Sequence, residues 1–301
     1  MHHPLNIVHQ ISRIPHRLYW EIVVHIPTIL FVAWLYLVNR YRCTPITGNT
    51  GPVVSLTTYG KRIGTVFLAI ESIGRGRVLP SRLILWVDES SILDKVPMTI
   101  WRLKQRGLEV KICQNYGPHK KYYPYVKSHD SFDAPLVTAD DDILYPSYWL
   151  EQLVDAFQEA PANVNCFRAR VVQLSDEGVA GFSEWKRCKS TKAHFRHHAI
   201  GDSGVIYPPA LLTLLKQSGS YFENCCPKAD DIWLHVQALR GGFKVRQIHS
   251  TGACFRGIPN SQTIGLYKEN LAGGNDRQIK ATYTADDIRL LLNECIILKE
   301  R

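Results

Sequence analysis

The sequence predicts an α/β fold, a Rossmann-type three-layer sandwich around a mostly parallel central sheet, with a hydrophobic helix ahead of it. Two observations predict this. From Val53 onward, short apolar or β-branched runs alternate with stretches of helical periodicity, the pattern of right-handed βαβ units. Ahead of them, Ile22 to Val38 (IVVHIPTILFVAWLYLV) is almost wholly apolar. With 301 residues, 45% hydrophobic and 21% charged, the chain has the composition of one large globular domain with a short appendage, not of a disordered protein.

The apolar run of ~17 residues would cover roughly 25 Å as a helix, a little short of a ~30 Å hydrocarbon core. Trp20, Trp34, Tyr36 and Tyr41 suit a membrane interface. Arg13 and Arg17 before the run balance Arg40 and Arg42 after it, so charge sets no orientation. Residues 20–38 are therefore expected to associate with a membrane. Residues 1–50 are expected to form a membrane-associating segment and linker, the linker marked by Pro45, Gly48, Gly51 and Pro52.

The domain proper is expected over residues 51–301. Val53 to Thr57 reads as its first strand, followed by a helix from Ile63 to Ile73 with Val66, Phe67 and Ile70 on one face. Arg82 to Val87 is a more buried strand, Thr99 to Arg106 a short helix stopped at Gly107, and Leu108 to Ile112 a third strand. Pro135 to Ala139 is the fourth. Trp149, Leu150, Leu153, Val154 and Phe157 then form a helical core stripe. Cys166 to Leu174, Gly204 to Tyr207 and Lys244 to Ile248 have strand character. Asp230-Asp231 opens a helix that Gly241-Gly242 closes.

The formal charge of +9 favours acidic partners such as anionic lipid or phosphorylated small molecules. No nucleic-acid partner is expected, because zinc-finger spacing, RNA-binding aromatic motifs and long Lys/Arg tracts are all missing. The eight cysteines form no CxxC pair and read as free buried thiols of a reducing compartment, although an even count permits disulfides.

The densest chemical signal is Asp140-Asp141-Asp142, directly after the fourth strand. Three adjacent carboxylates repel unless a cation relieves them, and an oxygen-rich site suits Mn²⁺ or Mg²⁺. In open α/β sheets ligands bind beyond the carboxyl ends of the strands. Thr57-Thr58-Tyr59 and Asp88 stand at such ends too. His194, His197 and His198 lack a suitably spaced fourth ligand for zinc.

The segments VVSLTTYGKRI, LVTADDDILYPSYWLEQL, GVIYPPALL and CPKADDIWLHVQAL resemble the GT-A-fold glycosyltransferases of the family-2-like kind, as in bacterial surface-polysaccharide assembly. The resemblance runs from about Val53 to about His249. It implies a GT-A-like form of the sandwich. It further implies a hexosyltransferase-like enzyme that takes a nucleotide-sugar donor and a glycan or glycolipid acceptor, lipid-linked or polysaccharide, with inversion expected. Asp140 and Asp142 match the metal-and-diphosphate motif, while Asp141 would contact ribose or orient the loop. Asp230-Asp231 matches the pair that supplies the catalytic base. The usual pattern points to Asp231, while Asp at the first position, where Glu is common, leaves Asp230 open. His249 resembles a late histidine that completes the metal site. Thr57, Thr58, Tyr59 and Asp88 fall where the family holds base and ribose, and Lys120 and Lys121 where the diphosphate lies. Gly201 to Gly204 would let the acceptor sugar approach the backbone.

The implied place is a bacterial inner membrane with the catalytic domain in the cytoplasm, a lumenal single-pass orientation staying open. Two alternatives stand beside this reading. A sugar nucleotidyltransferase would share the sheet and acids, but its glycine-rich phosphate loop is not seen near the first strand. A noncatalytic carbohydrate-binding or assembly protein would not need acids at both places.

Overall fold

A computed structural model describes residues 25–176, 178–259, 261 and 273–299. Its strands are β1 (Val53–Thr57), β2 (Arg82–Val87), β3 (Leu108–Ile112), β4 (Leu136–Ala139), β5 (Ile143–Leu144), β6 (Val164–Cys166) and β7 (Ala169–Val171). After these come β8 (Leu174–Ser175), β9 (Gly178–Val179), β10 (Lys186–Arg187), β11 (His197–Ala199), β12 (Val205–Tyr207), β13 (Val245–Gln247) and β14 (Arg256–Gly257). The central sheet has seven strands in the order β13-β6-β12-β4-β1-β2-β3. Six run parallel, and β12 alone is reversed, antiparallel to both β4 and β6. A smaller antiparallel sheet, β10-β7-β11, lies beside it.

The strands bury both faces, so their residues divide by period two between two cores. Val54, Leu56, Leu83, Leu85 and Val137 join one core with the helices Val66–Gly74 and Trp149–Glu159. Val53, Ile84, Trp86, Leu136, Val205 and Tyr207 join the other, with the helices Tyr123–Ser128, Pro209–Ser218 and Asp230–Arg240. This is the three-layer arrangement. The expected single strand from Cys166 to Leu174 is instead broken into β6, β7 and β8, since β6 pairs in the central sheet and β7 in the small one.

Residues 1–24 of the expected membrane segment lie outside the described residues. The rest forms the helix Ile26–Tyr41, with Pro27 in its first turn, where the missing N–H costs nothing. Among the described residues no helix is long and apolar enough to cross a membrane. One side of this helix is docked on the domain through Leu35 and Val38. Asn39 Nδ2 donates to Glu71 Oε1 at 2.9 Å and to the Thr99 carbonyl at 3.0 Å. The buried Arg106 guanidinium closes the cluster, 2.6 Å from the same Glu71 oxygen. The linker expected at Thr44 to Pro52 is pinned rather than loose. Ile46 is fully buried, its N–H donates to the Arg106 carbonyl, and Gly48 N–H donates to that of Pro80.

Candidate active site

Parallel pairing in register sets the ends of β1 and β4 side by side, Leu56 opposite Ala139. The residues that follow each strand therefore meet at one edge. Thr58, fully buried, donates its hydroxyl to Asp141 Oδ2 at 2.7 Å. Arg62, in the short 3₁₀ turn Gly60–Gly64, reaches back to Asp141 Oδ1 at 2.7 Å and Asp142 Oδ2 at 3.1 Å. Burial works against this guanidinium, yet Asp141 and Asp142 raise its pKa. Asp141 is thus a structural anchor for the first βα turn. Arg62, 79 residues before Asp141 in the chain, sits inside the acid cluster.

Asp140 turns the other way. Its N–H donates to the buried Tyr145 hydroxyl at 2.7 Å, and its carboxylate lies 2.5 Å from Lys121 Nζ. The same ammonium is 3.7 Å from Asp230 Oδ2. Burial opposes the Lys121 charge, but Asp140, Asp230 and Asp231 hold its pKa well above the ordinary value. Lys121 thereby joins the end of β4 to the start of the helix Asp230–Arg240. Its neighbour Lys120 goes elsewhere, to Asp88 Oδ2 at 2.6 Å. The two adjacent lysines do not act together on one group. Thr57 bonds the Trp86 carbonyl at 3.0 Å, and the Tyr59 ring lies under the Arg62 guanidinium at 5.1 Å.

Asp230 and Asp231 occupy the first turn of their helix. The capping position is Ala229, and neither carboxylate acts as the cap. The Gly201 N–H donates to Asp231 Oδ2 at 3.0 Å. Burial, and then Asp230 beside it, raises the Asp231 pKa; burial also raises Asp230, against the pull of Lys121. The close backbone approach expected at Gly201 to Gly204 is made by the protein itself. A Cβ at Gly201 would stand 2.8 Å from Asp231 Oδ1, and one at Gly204, where φ is +95°, 2.4 Å from Trp149 Nε1.

Lys121, Asp140, Asp230 and Asp231 line a cavity of about 280 Å³ together with Arg168, Arg170, Lys228, His198 and Asn275. The sequence alone does not single out Arg168, Arg170, Lys228 or Asn275. His198 is buried, and neither ring nitrogen has a hydrogen-bond partner among the described residues. Sequence reasoning sees His198 only as part of a histidine run.

His249 is not brought to the acid cluster. It is exposed, with Nε2 3.1 Å from Gln152 Oε1 on the helix Trp149–Glu159. Among the described residues no three His, Cys, Asp or Glu side chains are arranged to hold a metal ion, because Arg62 and Lys121 divide the triplet between them. The donor chemistry nevertheless suits a hard cation. Burial and then Asp140 push the Asp142 carboxyl up to about 6, so added positive charge would stabilise its ionised form. All cysteines whose side chains are described are free thiols.

The sequence matches no protein-family model and no curated protein. Among solved structures, a mannosyltransferase from Pyrobaculum calidifontis in complex with GDP-mannose and Mn²⁺ is similar with a TM-score of 0.50 at 11% identity, covering 88% of this chain and 75% of that one. The fold is GT-A-like. Residues 1–349 of TarS from S. aureus align with a TM-score of 0.46 at 13% identity, over 80% of this chain and 69% of that one. A 4-diphosphocytidyl-2C-methyl-D-erythritol synthase from Anaerococcus prevotii aligns with a TM-score of 0.45 at 10% identity, over 77% and 98%.

Proposed function

We propose that this chain is a glycosyltransferase that moves a sugar from a nucleotide-sugar donor to a glycan or glycolipid acceptor with inversion at the anomeric carbon. One observation carries the reading. A single half-buried lysine, Lys121, joins a strand-end carboxylate to an acidic pair at a helix start, around one cavity, and a backbone N–H aims one acid of that pair. Asp231 is the base. Its raised pKa suits proton uptake from the acceptor hydroxyl as that oxygen attacks the anomeric carbon. The bond from the anomeric carbon to the diphosphate breaks as the new C–O bond forms, and the diphosphate leaves with the electron pair. Lys121 is placed to offset the charge that grows on it. Asp140 and Asp142 would hold a divalent ion, Mn²⁺ or Mg²⁺, which would neutralise the diphosphate. Residues 20–38 attach the protein to a membrane, with the catalytic domain on the cytoplasmic side of a bacterial inner membrane.

The test is a panel of nucleotide sugars with Mn²⁺, scored for donor hydrolysis and transfer. Asp231→Asn should bind donor as the parent does while turnover falls by about 10²–10⁴-fold, the usual cost of losing a general base. Asp142→Ala should weaken metal-dependent binding of nucleoside diphosphate. A panel with no turned-over donor, or an Asp231→Asn variant of parental rate, would refute the proposal.

A further inference from the structure

A second cavity, of about 450 Å³, opens between the helix Ile26–Tyr41 and the turns after β5 and before β14. It is lined chiefly by Phe31, Arg75, Tyr145, Tyr148, Phe255 and Arg256, and no carboxylate is in its wall. Neither arginine forms an ion pair with any acid among the described residues. The Arg75 guanidinium lies 4.7 Å from the centre of the Phe31 ring and 5.9 Å from that of Trp34. Its Nε is buried with no hydrogen-bond partner among the described residues. Arg256 makes one long hydrogen bond, 3.4 Å, to the Thr28 hydroxyl. Arg75 is half-buried against aromatic rings without counter-charge among the described residues, and Arg256 is exposed at the same cavity, so an anion seated there would pair with both guanidinium groups.

The surroundings tell which anion. On the same helix Ile26, Ile29, Leu30 and Leu37 are 48–65% exposed, so apolar surface continues from the mouth of the cavity along the helix. A free phosphate would leave that surface uncovered. Residues 1–24 offer the arginines little, since they carry one acid, Glu21, against Arg13 and Arg17. We infer that this cavity binds the phosphate of an anionic membrane lipid through Arg75 and Arg256, with the lipid chains lying along the exposed face of the helix. The planar guanidinium suits phosphate oxygens, and its stacking on Phe31 and Trp34 holds it in place. The site requires attachment of this helix to a membrane but stands apart from sugar transfer, and holds whether or not Asp231 is a base. Tyr145 nevertheless connects the two places. Its ring lines this cavity while its hydroxyl takes the Asp140 N–H.

The experiment uses the full chain. Partition into vesicles of phosphatidylcholine alone and into vesicles containing phosphatidic acid is measured for the parent, Arg75→Gln, Arg256→Gln and, as a control, Arg40→Gln on the same helix. Diffuse attraction loses about 1 kcal/mol, roughly fivefold, per basic residue removed near an anionic surface. The cavity variants should lose tenfold or more on phosphatidic acid and nothing on phosphatidylcholine, while Arg40→Gln stays within the diffuse value. Short-chain phosphatidic acid below its micelle concentration should change the tryptophan fluorescence of the parent, not of Trp34→Phe or Arg75→Gln, and inorganic phosphate should not substitute for it. Thermal melts of the variants check that they fold, and Arg75→Lys should bind in part. Equal losses for all three arginine variants, or equal partition into both vesicles, would overturn the site. So would inorganic phosphate acting as well as the lipid. Failure to bind any vesicle overturns it too, and points to a protein segment over this face. Loss of donor turnover with lipid binding intact would count against the transferase reading alone.

Discussion

Replacing Gly201 with alanine strains the site at its tightest joint. The Gly201 backbone is outside the left-handed region, so alanine meets no conformational penalty there. The added Cβ would stand 2.8 Å from Asp231 Oδ1, whereas ordinary contact begins at 3.4 Å, so the carboxylate must retreat by about 0.6 Å. Its anchor, the Gly201 N–H at 3.0 Å from Oδ2, is on the residue that pushes it away. A misplacement of about 1 Å can cost ~10²-fold in rate, so the smaller retreat should lower kcat by about 10- to 30-fold, or ~1.4–2 kcal/mol of barrier. Stability should fall by only about 1 kcal/mol, a drop in Tm of ~2–4 °C for a domain of this size. Donor affinity by calorimetry should be unchanged, because in the proposed mechanism Asp231 takes the acceptor proton and does not hold the donor. The assay is donor turnover in parallel with a thermal melt. Turnover at the parental rate with Asp231→Asn inactive would show that the glycine contact does not aim the base. Loss of donor affinity in Gly201→Ala would show that Asp231 holds donor and does not take a proton.

Further outcomes follow from the same structure. Arg106→Met leaves the buried Glu71 carboxylate without its cation and should cost about 3–5 kcal/mol in urea unfolding, with much of the loss recovered in Arg106→Met/Glu71→Met; a single-variant loss under ~1 kcal/mol would contradict this. Gly204→Ala combines a φ of +95° with a Cβ 2.4 Å from Trp149 Nε1, and should destabilise by about 2–5 kcal/mol; a parental melting curve would show that this packing is loose. The buried His235 ring has its pKa lowered to about 4, chiefly by burial. The unfolded chain therefore binds its proton first, near pH 6.5, so the His235 contribution is complete above that pH and is lost as pH falls toward 4. The loss is about 3 kcal/mol across that window, and His235→Gln should flatten the pH slope of stability there; an unchanged slope would place the titration elsewhere.

Much of the edge where the site forms can be read from the chain, because apolar runs such as Leu136 to Ala139 stop abruptly at charged residues. The strand ends announce themselves. What the runs do not carry is direction or partner. Val205 to Tyr207 reads equally well as a parallel or a reversed strand, since a period of two has no polarity. Lys120 and Lys121 are neighbours of identical chemistry, yet the 3₁₀ turn Gly117–Lys121 points one at Asp88 and the other at Asp140. Arg62 lies 79 residues before Asp141, and Asn275 comes from a helix far along the chain; only tertiary packing brings them in. The division of the acids between Arg62 and Lys121 is likewise a property of the folded sheet, invisible in the run of three aspartates.

The reversed strand has a consequence for how the molecule holds together. In the central sheet β12 is the sole seam between the β4-β1-β2-β3 half and the β6-β13 half, and it is three residues long. Val205 is stitched to Thr138 on one side and to Cys166 on the other. If that seam opened, each half would keep its own ladder, but Asp140 and Asp230 would lose the frame that sets them across one lysine. Integrity of the site and cooperativity of the sheet thus rest on the same few backbone hydrogen bonds. Amides of β12 should accordingly exchange with solvent only as slowly as the whole sheet unfolds, and a seam that exchanges faster than either half would mean that the halves part first.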